Sequence, residues 1–517
     1  MKRRQFLKQA GCSLFAGMTL TLARCSKQQR PNIIFILADD LGYGELGCYG
    51  QEKIETPHID KLARQGMRFI QHYAGAPVCA PSRCVLMTGK HTGHAYIRGN
   101  DEWGERGEVW NYAKAVQNPR LEGQRPIPAE TRTVGEILQD SGYKTAIVGK
   151  WGLGAPRTEG IPNKQGFDFF FGYNCQRQAH TYYPKHLWKN AEKVWLDNPL
   201  VVPGTKLPEG ADPYDPESYD KFSLNEYSPD LMFEELTQFV RDNKDQPFFL
   251  YWATPIPHVP LQAPKRWVDY YVDKFGDEEP YRGDKGYFPH RYPHAAYAGM
   301  ISYLDKQVGL LMKQLKDLGL YDNTLIFFTS DNGPSFAGGA DPLFFDSAGP
   351  FKSERGWAKG SVHEGGIRVP MIASWPGKIP AGTDTAHTSC FYDVLPTLCD
   401  VTGTPIPDDT NGLSFLPTLL NAGEQKQHEF LYWEFPGYGG QQAVLLRSRW
   451  KGIRRNISQG NTEIELYDLR NDIQEQHNIA SEHPDVVKEI ERIMQREHTQ
   501  PEVDTFRMEA LGDQSKE

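Results

Sequence analysis

The chain has 517 residues, 39% of them hydrophobic and 24% charged, and a formal net charge of −9. That length is ample for a large core and for two to four domains, while the acidic balance and the absence of any long basic run argue against a nucleic-acid partner. Its 8 cysteines show no C-x-x-C pair and no zinc-like spacing, which speaks against a metal ribbon or a disulfide framework.

The first element is a targeting segment. Lys2-Arg3-Arg4-Gln5-Phe6-Leu7-Lys8 is basic, and the apolar run from Ala10 to Ala23 is too short to span a membrane as a mature helix. Arg3-Arg4 resembles a bacterial twin-arginine export signal. Leu22-Ala23-Arg24-Cys25 loosely resembles a lipoprotein cleavage box, with Arg24 where a small residue is usual. The expectation is a bacterial protein exported to the periplasm or anchored to the outer membrane. It would touch a membrane only through the signal (1–27) or a lipid at Cys25. An ordinary cleaved secretory signal is the plainer reading.

Asn32 to Leu37 is a continuous apolar run, the pattern of a strand buried on both faces of a parallel sheet. It ends in Asp39-Asp40, where open α/β sheets bind ligands. Two adjacent carboxylates suit a hard cation, although a turn or helix cap explains such a pair as well. Pro77 to Gly89 follows, reading PVCAPSRCVLMTG. Pro81 disfavours helix at Ala80, and Cys84 to Met87 reads as the start of a buried helix, so Cys79 is placed just before a helix N-terminus that favours an anion. A lone cysteine is more often a small buried hydrophobe.

Residues 101–128 are polar, rich in Trp, Arg and Glu, and read as a long surface insertion. Tyr143 to Val148 is a second strand, leading into Gly149-Lys150-Trp151-Gly152. Lys150 is thus a cation at a strand's carboxyl end, otherwise a solvated charge. Gly166 to Tyr173 and the polar-aromatic stretch with Gln176, Gln178, His180 and Tyr182 read as the wall of a pocket. Phe248 to Ala253 is a third strand, before His258; a helix spans Tyr297 to Leu318. Thr324 to Thr329 is a fourth strand, ending at Asp331-Asn332, and Val369 to Ser374, after Lys359 and His363, is a fifth. Strands interleaved with helices indicate a doubly wound α/β domain over 28–423. Beyond it, Phe430 to Phe435, Ala443 to Arg449, Glu463 to Leu469 and a helix at Pro484 to Arg496 indicate a small antiparallel sheet with a covering helix over 424–517.

The stretch Cys79-Ala80-Pro81-Ser82-Arg83, with Pro77 before it and Leu86-Met87-Thr88-Gly89 after it, resembles the signature of the sulfatase family, within the alkaline-phosphatase-like superfamily. The resemblance implies a large mixed, mostly parallel sheet flanked by helices, and hydrolysis of sulfate esters. It implies that a maturation enzyme converts Cys79 to formylglycine, whose hydrate carries two hydroxyls on one carbon. It implies one Ca²⁺ held by Asp39, Asp40, Asp331 and Asn332 together with modified Cys79. Arg83 and Lys150 would hold the hydrate, and His258 and Lys359 would contact the sulfate and the leaving oxygen. One ionised hydroxyl would attack sulfur in line, His258 would protonate the departing alcohol, and the second hydroxyl would then expel sulfate.

Many sulfatases read Gly-Lys-Trp-His where this chain has Gly149-Lys150-Trp151-Gly152. His180 is the expected replacement base and His91 the second choice. Arg98, Asn100, Gln178 and His363, with His91, are candidate substrate contacts. Export and the abundance of aromatics and amides suit a sulfated carbohydrate, and the segment Gly166 to Tyr183 and the Arg98-Gly99-Asn100 turn resemble those of bacterial sulfatases acting on glycans, which implies a sulfated galactose or N-acetylgalactosamine unit. A broad arylsulfatase, a phosphoester hydrolase on the same scaffold and an inactive sulfated-glycan-binding relative are the alternatives.

Overall fold

The computed structural model describes residues 30–514, so the export signal and Cys25 lie outside the described residues. Among the described residues sixteen strands occur in chain order: β1 Asn32–Ala38, β2 Met67–Phe69, β3 His72–Tyr73, β4 Lys144–Lys150, β5 Phe169–Tyr173, β6 His186–Lys189, β7 Glu192–Trp195, β8 Phe248–Ala253, β9 Thr324–Ser330, β10 Met371–Ser374, β11 Thr383–Thr385, β12 Ser389–Cys390, β13 Phe430–Phe435, β14 Gln441–Leu446, β15 Trp450–Arg455 and β16 Glu465–Asp468. Ten of them form one sheet in the order β11-β2-β10-β9-β1-β8-β4-β5-β6-β7. Its centre is parallel, with β1 between β8 and β9, and β4 between β8 and β5.

Burial on both faces explains the apolar runs. Every residue of β1 is buried. Ile33, Phe35 and Leu37 join one core cluster, and Ile34 and Ile36 join the other. Each such side chain contributes roughly 1.5–3 kcal/mol when fully buried. The second cluster includes the helix Pro293–Asp317, which begins a turn before the expected Tyr297 because Pro293 supplies a first helical position that needs no N–H partner.

The fifth expected strand is shorter than foreseen, and β10 runs antiparallel to both β9 and β2. It returns from the edge that carries Lys359, so it enters the sheet in the opposite sense. Within Gly166 to Tyr173, β5 is a core strand pairing with β4, not a pocket wall.

The C-terminal four-stranded sheet runs β13-β14-β15-β16, antiparallel throughout. Tyr432, Val444 and Leu446 face Ile490 and Met494 of the helix Pro484–Glu497. Leu431, Trp433 and Leu445 face the other way and join the core of the large domain. The expected strand at Ala443 to Arg449 sits instead at β14. β15 was not anticipated, because its sequence WKGIRR is largely polar.

Candidate active site

Parallel register gathers the site at one edge. Ala38 pairs with Ser330, Leu37 with Ala253, and Ala253 with Gly149. The residues that follow each strand therefore stand side by side: Asp39 and Asp40 after β1, Asp331 and Asn332 after β9, the turn carrying His258 after β8, and Lys150 at the end of β4. Asp40 adopts a left-handed φ of 66°, uncommon outside Gly, Asn and Asp, and its N–H donates to Asp331 Oδ1 at 3.2 Å. The Tyr182 hydroxyl fixes the His258 turn by donating to the carbonyls of Pro255 and His258 at 2.6 and 2.7 Å.

Cys79 is itself the first residue of a helix, Cys79–Thr88, rather than the residue before one. Pro81 fits there because first-turn N–H groups have no intrahelical partner. Gly89 ends the helix in the left-handed region at φ 68°. All ten helix residues are buried. Asn100 accepts from the Ala80 N–H at 3.1 Å, so it caps the first turn as well as facing the cavity described below.

Around Cys79 three carboxylates meet three cations. Lys150 Nζ donates to Asp39 at 2.6 Å, Lys359 Nζ to Asp40 at 2.7 Å, and Arg83 to Asp331 at 2.8 and 3.0 Å. Arg83 also lies 3.2 Å from Asp39 and donates to the Lys150 carbonyl. The Cys79 thiol donates to Asp39 Oδ1 at 3.4 Å, and Lys359 Nζ is 3.6 Å from its sulfur. His258 Nδ1 donates to the Val259 carbonyl at 2.6 Å, which leaves Nε2 as the free ring nitrogen, 3.8 Å from Asp40.

Burial and charge set the protonation states. Burial alone would raise Asp39, but Lys150, His258, Arg83 and Lys359 outweigh it and hold that carboxyl far below its ordinary range. Burial, reinforced by Asp39, lifts Asp331 to about 6 against the pull of Arg83. Burial, with Asp39, also pushes the Cys79 thiol well up. Left as a thiol, Cys79 is therefore no thiolate nucleophile.

The same residues fit a hard divalent cation. Ligand atoms of Asp39, Asp40, Cys79 and His258 all lie within 4.8 Å of one another. The buried Asn332 Oδ1 has no hydrogen-bond partner, while its Nδ2 donates to Asp40 at 2.8 Å. The carboxylate and amide oxygens among them suit a hard divalent cation.

Cys79 opens onto a cavity of about 850 Å³, whose lining includes Asn100, Glu102, Gln176, His180, His258 and Lys359. His180 stacks on His258, rings parallel within 13° and centroids 5.6 Å apart. Arg83 and Lys150 lie beneath, buried among the carboxylates, and do not line the cavity. Four candidate contacts sit elsewhere. His91 pairs with Glu497 at 3.1 Å. Arg98 pairs with Glu434 at 2.6 Å. Gln178 is buried and does not line the cavity. His363 bonds Ser361 at 2.6 Å under Trp357. His91 and Arg98 are thus paired within the protein, and none of the four lines the cavity.

Residues 101–128 are not a mere surface excursion, since Asp101, Glu102, Trp110 and Gln124 form one wall of the cavity. Tyr438, Gln441, Arg455 and Asn456 reach it from the C-terminal sheet. Neither set was foreseen. The one available signal was the density of Trp and Glu in an insertion with no helical or strand period.

A family model described as Sulfatase matches residues 31–404, and one described as N-sulphoglucosamine sulphohydrolase, C-terminal, matches residues 353–500. The chain is 31% identical over 421 residues to the N-acetylgalactosamine-6-sulfatase of Canis lupus familiaris, covering 80% of this chain and 70% of that protein. It is 27% identical over 568 residues to the N-acetylgalactosamine-6-O-sulfatase of Bacteroides thetaiotaomicron, covering 94% and 97%. The crystal structure of Ps i-CgsB in complex with k-i-k-neocarrahexaose is 27% identical, with a TM-score of 0.71 over 92% of this chain and 94% of that one. With that match and the Cys79 site at the carboxyl edge of an alkaline-phosphatase-like sheet, the chain belongs to the sulfatase family and is a sulfuric ester hydrolase.

Proposed function

We propose that this enzyme removes sulfate from a sulfated carbohydrate, of galactose or N-acetylgalactosamine type, after export from a bacterial cytoplasm. The observation that carries the reading is the cavity above Cys79, large enough for a sugar unit and walled by amides, carboxyls and aromatic rings. A small aryl sulfate would offer no hydroxyls to the unpartnered Glu102 Oε2 and Gln176 Nε2. The Bacteroides relative, aligned over nearly its whole length, is an N-acetylgalactosamine-6-O-sulfatase, and Ps i-CgsB was solved in complex with k-i-k-neocarrahexaose.

Asp39, Asp40, Asp331 and Asn332, with residue 79, would hold a calcium ion, which when bound supplies positive charge against the sulfate. Cys79, as formylglycine, would supply a hydrated aldehyde as the source of the attacking hydroxyl. Within the chain, Lys359 stands at Cys79 Sγ and opposes negative charge there. Lys150 and Arg83 keep Asp39 and Asp331 ionised beneath it. His258, with Nδ1–H committed to Val259, directs Nε2 to the cavity and is the group that moves a proton to the leaving oxygen. His180, stacked beside it, is the proposed base that Gly152 cannot be. The proposal is tested with defined sulfated monosaccharides set against an aryl sulfate, alongside a peptide mass for residue 79. Release of sulfate from a sulfated galactose or N-acetylgalactosamine, with an aldehyde mass at 79, is expected. Turnover of the aryl ester alone, or a retained thiol in an active preparation, would defeat it.

A further inference from the structure

Two polar atoms in the cavity wall are buried without a hydrogen-bond partner: Glu102 Oε2 and Gln176 Nε2. An unpaired buried polar atom is costly, so two of them, in residues that line one cavity, ask what satisfies them in use.

The surrounding structure holds both in place. The Gln124 side chain bridges the two segments, accepting from the Gln176 N–H at 3.1 Å and donating to the Asp101 carbonyl at 3.3 Å. Arg177 ties the same segments again, donating to the carbonyls of Val109 and Trp110 and lying 4.5 Å over the Trp110 ring. Gly152 completes the arrangement. Its φ is +88°, and a Cβ there would come within 2.8 Å of Gln176 Nε2 and 3.0 Å of Gln176 Cγ. The glycine is therefore more than a missing side chain: it leaves the space that the Gln176 amide fills. Burial pushes the Glu102 carboxyl up to about 8 against the pull of Arg177, so near neutral pH it both donates and accepts.

We propose that Glu102 and Gln176, with Gly152 as the space that admits the Gln176 amide, form a subsite that reads hydroxyl groups of the sugar bearing the sulfate. Gln176 Nε2 donates to one hydroxyl oxygen, and the Glu102 carboxyl exchanges a hydrogen bond with the same or a neighbouring hydroxyl. This rests on the carbohydrate reading above and narrows it to a ligand that presents free hydroxyls beside the ester. These residues orient the substrate; they take no part in bond breaking.

The test compares a sulfated sugar that the wild type hydrolyses with its mono-deoxy analogues, in wild type and in Glu102→Ala, Glu102→Gln and Gln176→Leu, each checked for an unchanged melting temperature. In the wild type one or more deoxy analogues should lose roughly 10- to 100-fold in kcat/KM, because the site's polar groups are left unpaired. In Glu102→Ala or Gln176→Leu the same analogue should fall within about threefold of the hydroxylated sugar, with the loss on the latter lying mainly in KM. Glu102→Gln, which keeps a donor and an acceptor, should recover much of the discrimination. Variants that discriminate as the wild type does, or that lose kcat alike on every substrate, overturn the subsite while leaving the carbohydrate reading intact. A wild type inert on all sulfated sugars but active on aryl sulfates overturns both.

Discussion

Two buried polar clusters in this molecule look alike in composition and behave oppositely. One surrounds Cys79. The other lies where the helix Pro484–Glu497 and β13 meet the segment from His91 to Arg98. In the second, every group is answered: Arg98 donates to Glu434 at 2.6 Å and to the Thr499 carbonyl and hydroxyl at 2.6 and 2.8 Å. Glu434 also accepts from Tyr432 at 2.6 Å and bonds His498 at 2.9 Å, while the far nitrogen of His498 reaches Asp513 at 3.1 Å. None of these atoms is left without a partner. Around Cys79, by contrast, Asn332 Oδ1, Gln176 Nε2 and Glu102 Oε2 remain unanswered, and three carboxylates crowd together. Completeness of pairing, more than the presence of charge, separates a network that holds the fold from one that waits for a ligand.

The largest test of that contrast is Cys79→Ala, which should remove at least about 10⁴-fold of the sulfate-ester turnover, some 5.5 kcal/mol of barrier, while leaving the denaturant midpoint nearly unchanged. Cys84→Ala, in the same helix but facing the core, should do the reverse. Equal, modest losses of activity in both would remove Cys79 from its role.

Next comes Arg98→Ala. Removing one partner of a fully buried pair strands Glu434, and a stability loss of about 3–5 kcal/mol is expected, with activity per folded molecule retained. An active-site defect in a stable Arg98 variant would erase the distinction between the clusters.

Smaller is Asp40→Asn, which takes one charge from the oxygen cluster. Calorimetry should show calcium affinity falling by roughly 10-fold or more, with turnover following it. Tight binding of zinc by the wild type would contradict the hard-donor reading.

The smallest effect concerns a pair outside both clusters. His294 lies 2.9 Å from Glu278 and 3.1 Å from Asp341, and although burial opposes its charge, these carboxylates raise it to about 9. Because the folded value exceeds the ordinary one, the contribution is full below about pH 6.5 and is lost as pH rises through 9. The site is partly open to solvent, so about 1 kcal/mol is expected after screening. Urea midpoints at pH 6 and 9.5 should differ by more in the wild type than in His294→Gln.

The parallel strands and the residues at their carboxyl ends were legible in the sequence because a strand buried on both faces has little choice but a continuous apolar run, and its end is marked by the first polar residues. Asp39, Asp331 and Lys150 stand out for that reason. His91 and Arg98 were misjudged as ligand contacts because what satisfies them, Glu497 and Glu434, lies more than 300 positions along the chain. β15 escaped notice because Lys451 reads as a surface charge, whereas it is fully buried and donates to Glu364 at 2.8 Å. Glu102 was hidden within an insertion whose polarity signals exposure until its folded neighbours are known.

The depth of Cys79 imposes an order of events. Its side chain is 1% exposed, every residue of its helix is buried, and Tyr438 and Arg455, which line the cavity above it, come from a sheet that emerges from the ribosome long after it. Since the whole helix is buried, an enzyme acting on the thiol would meet the segment before it folds. At roughly 5–20 residues per second, synthesis of the stretch between Cys79 and Arg455 lasts on the order of tens of seconds. A chain that folded before any such change would keep a buried thiol at the centre of an intact fold.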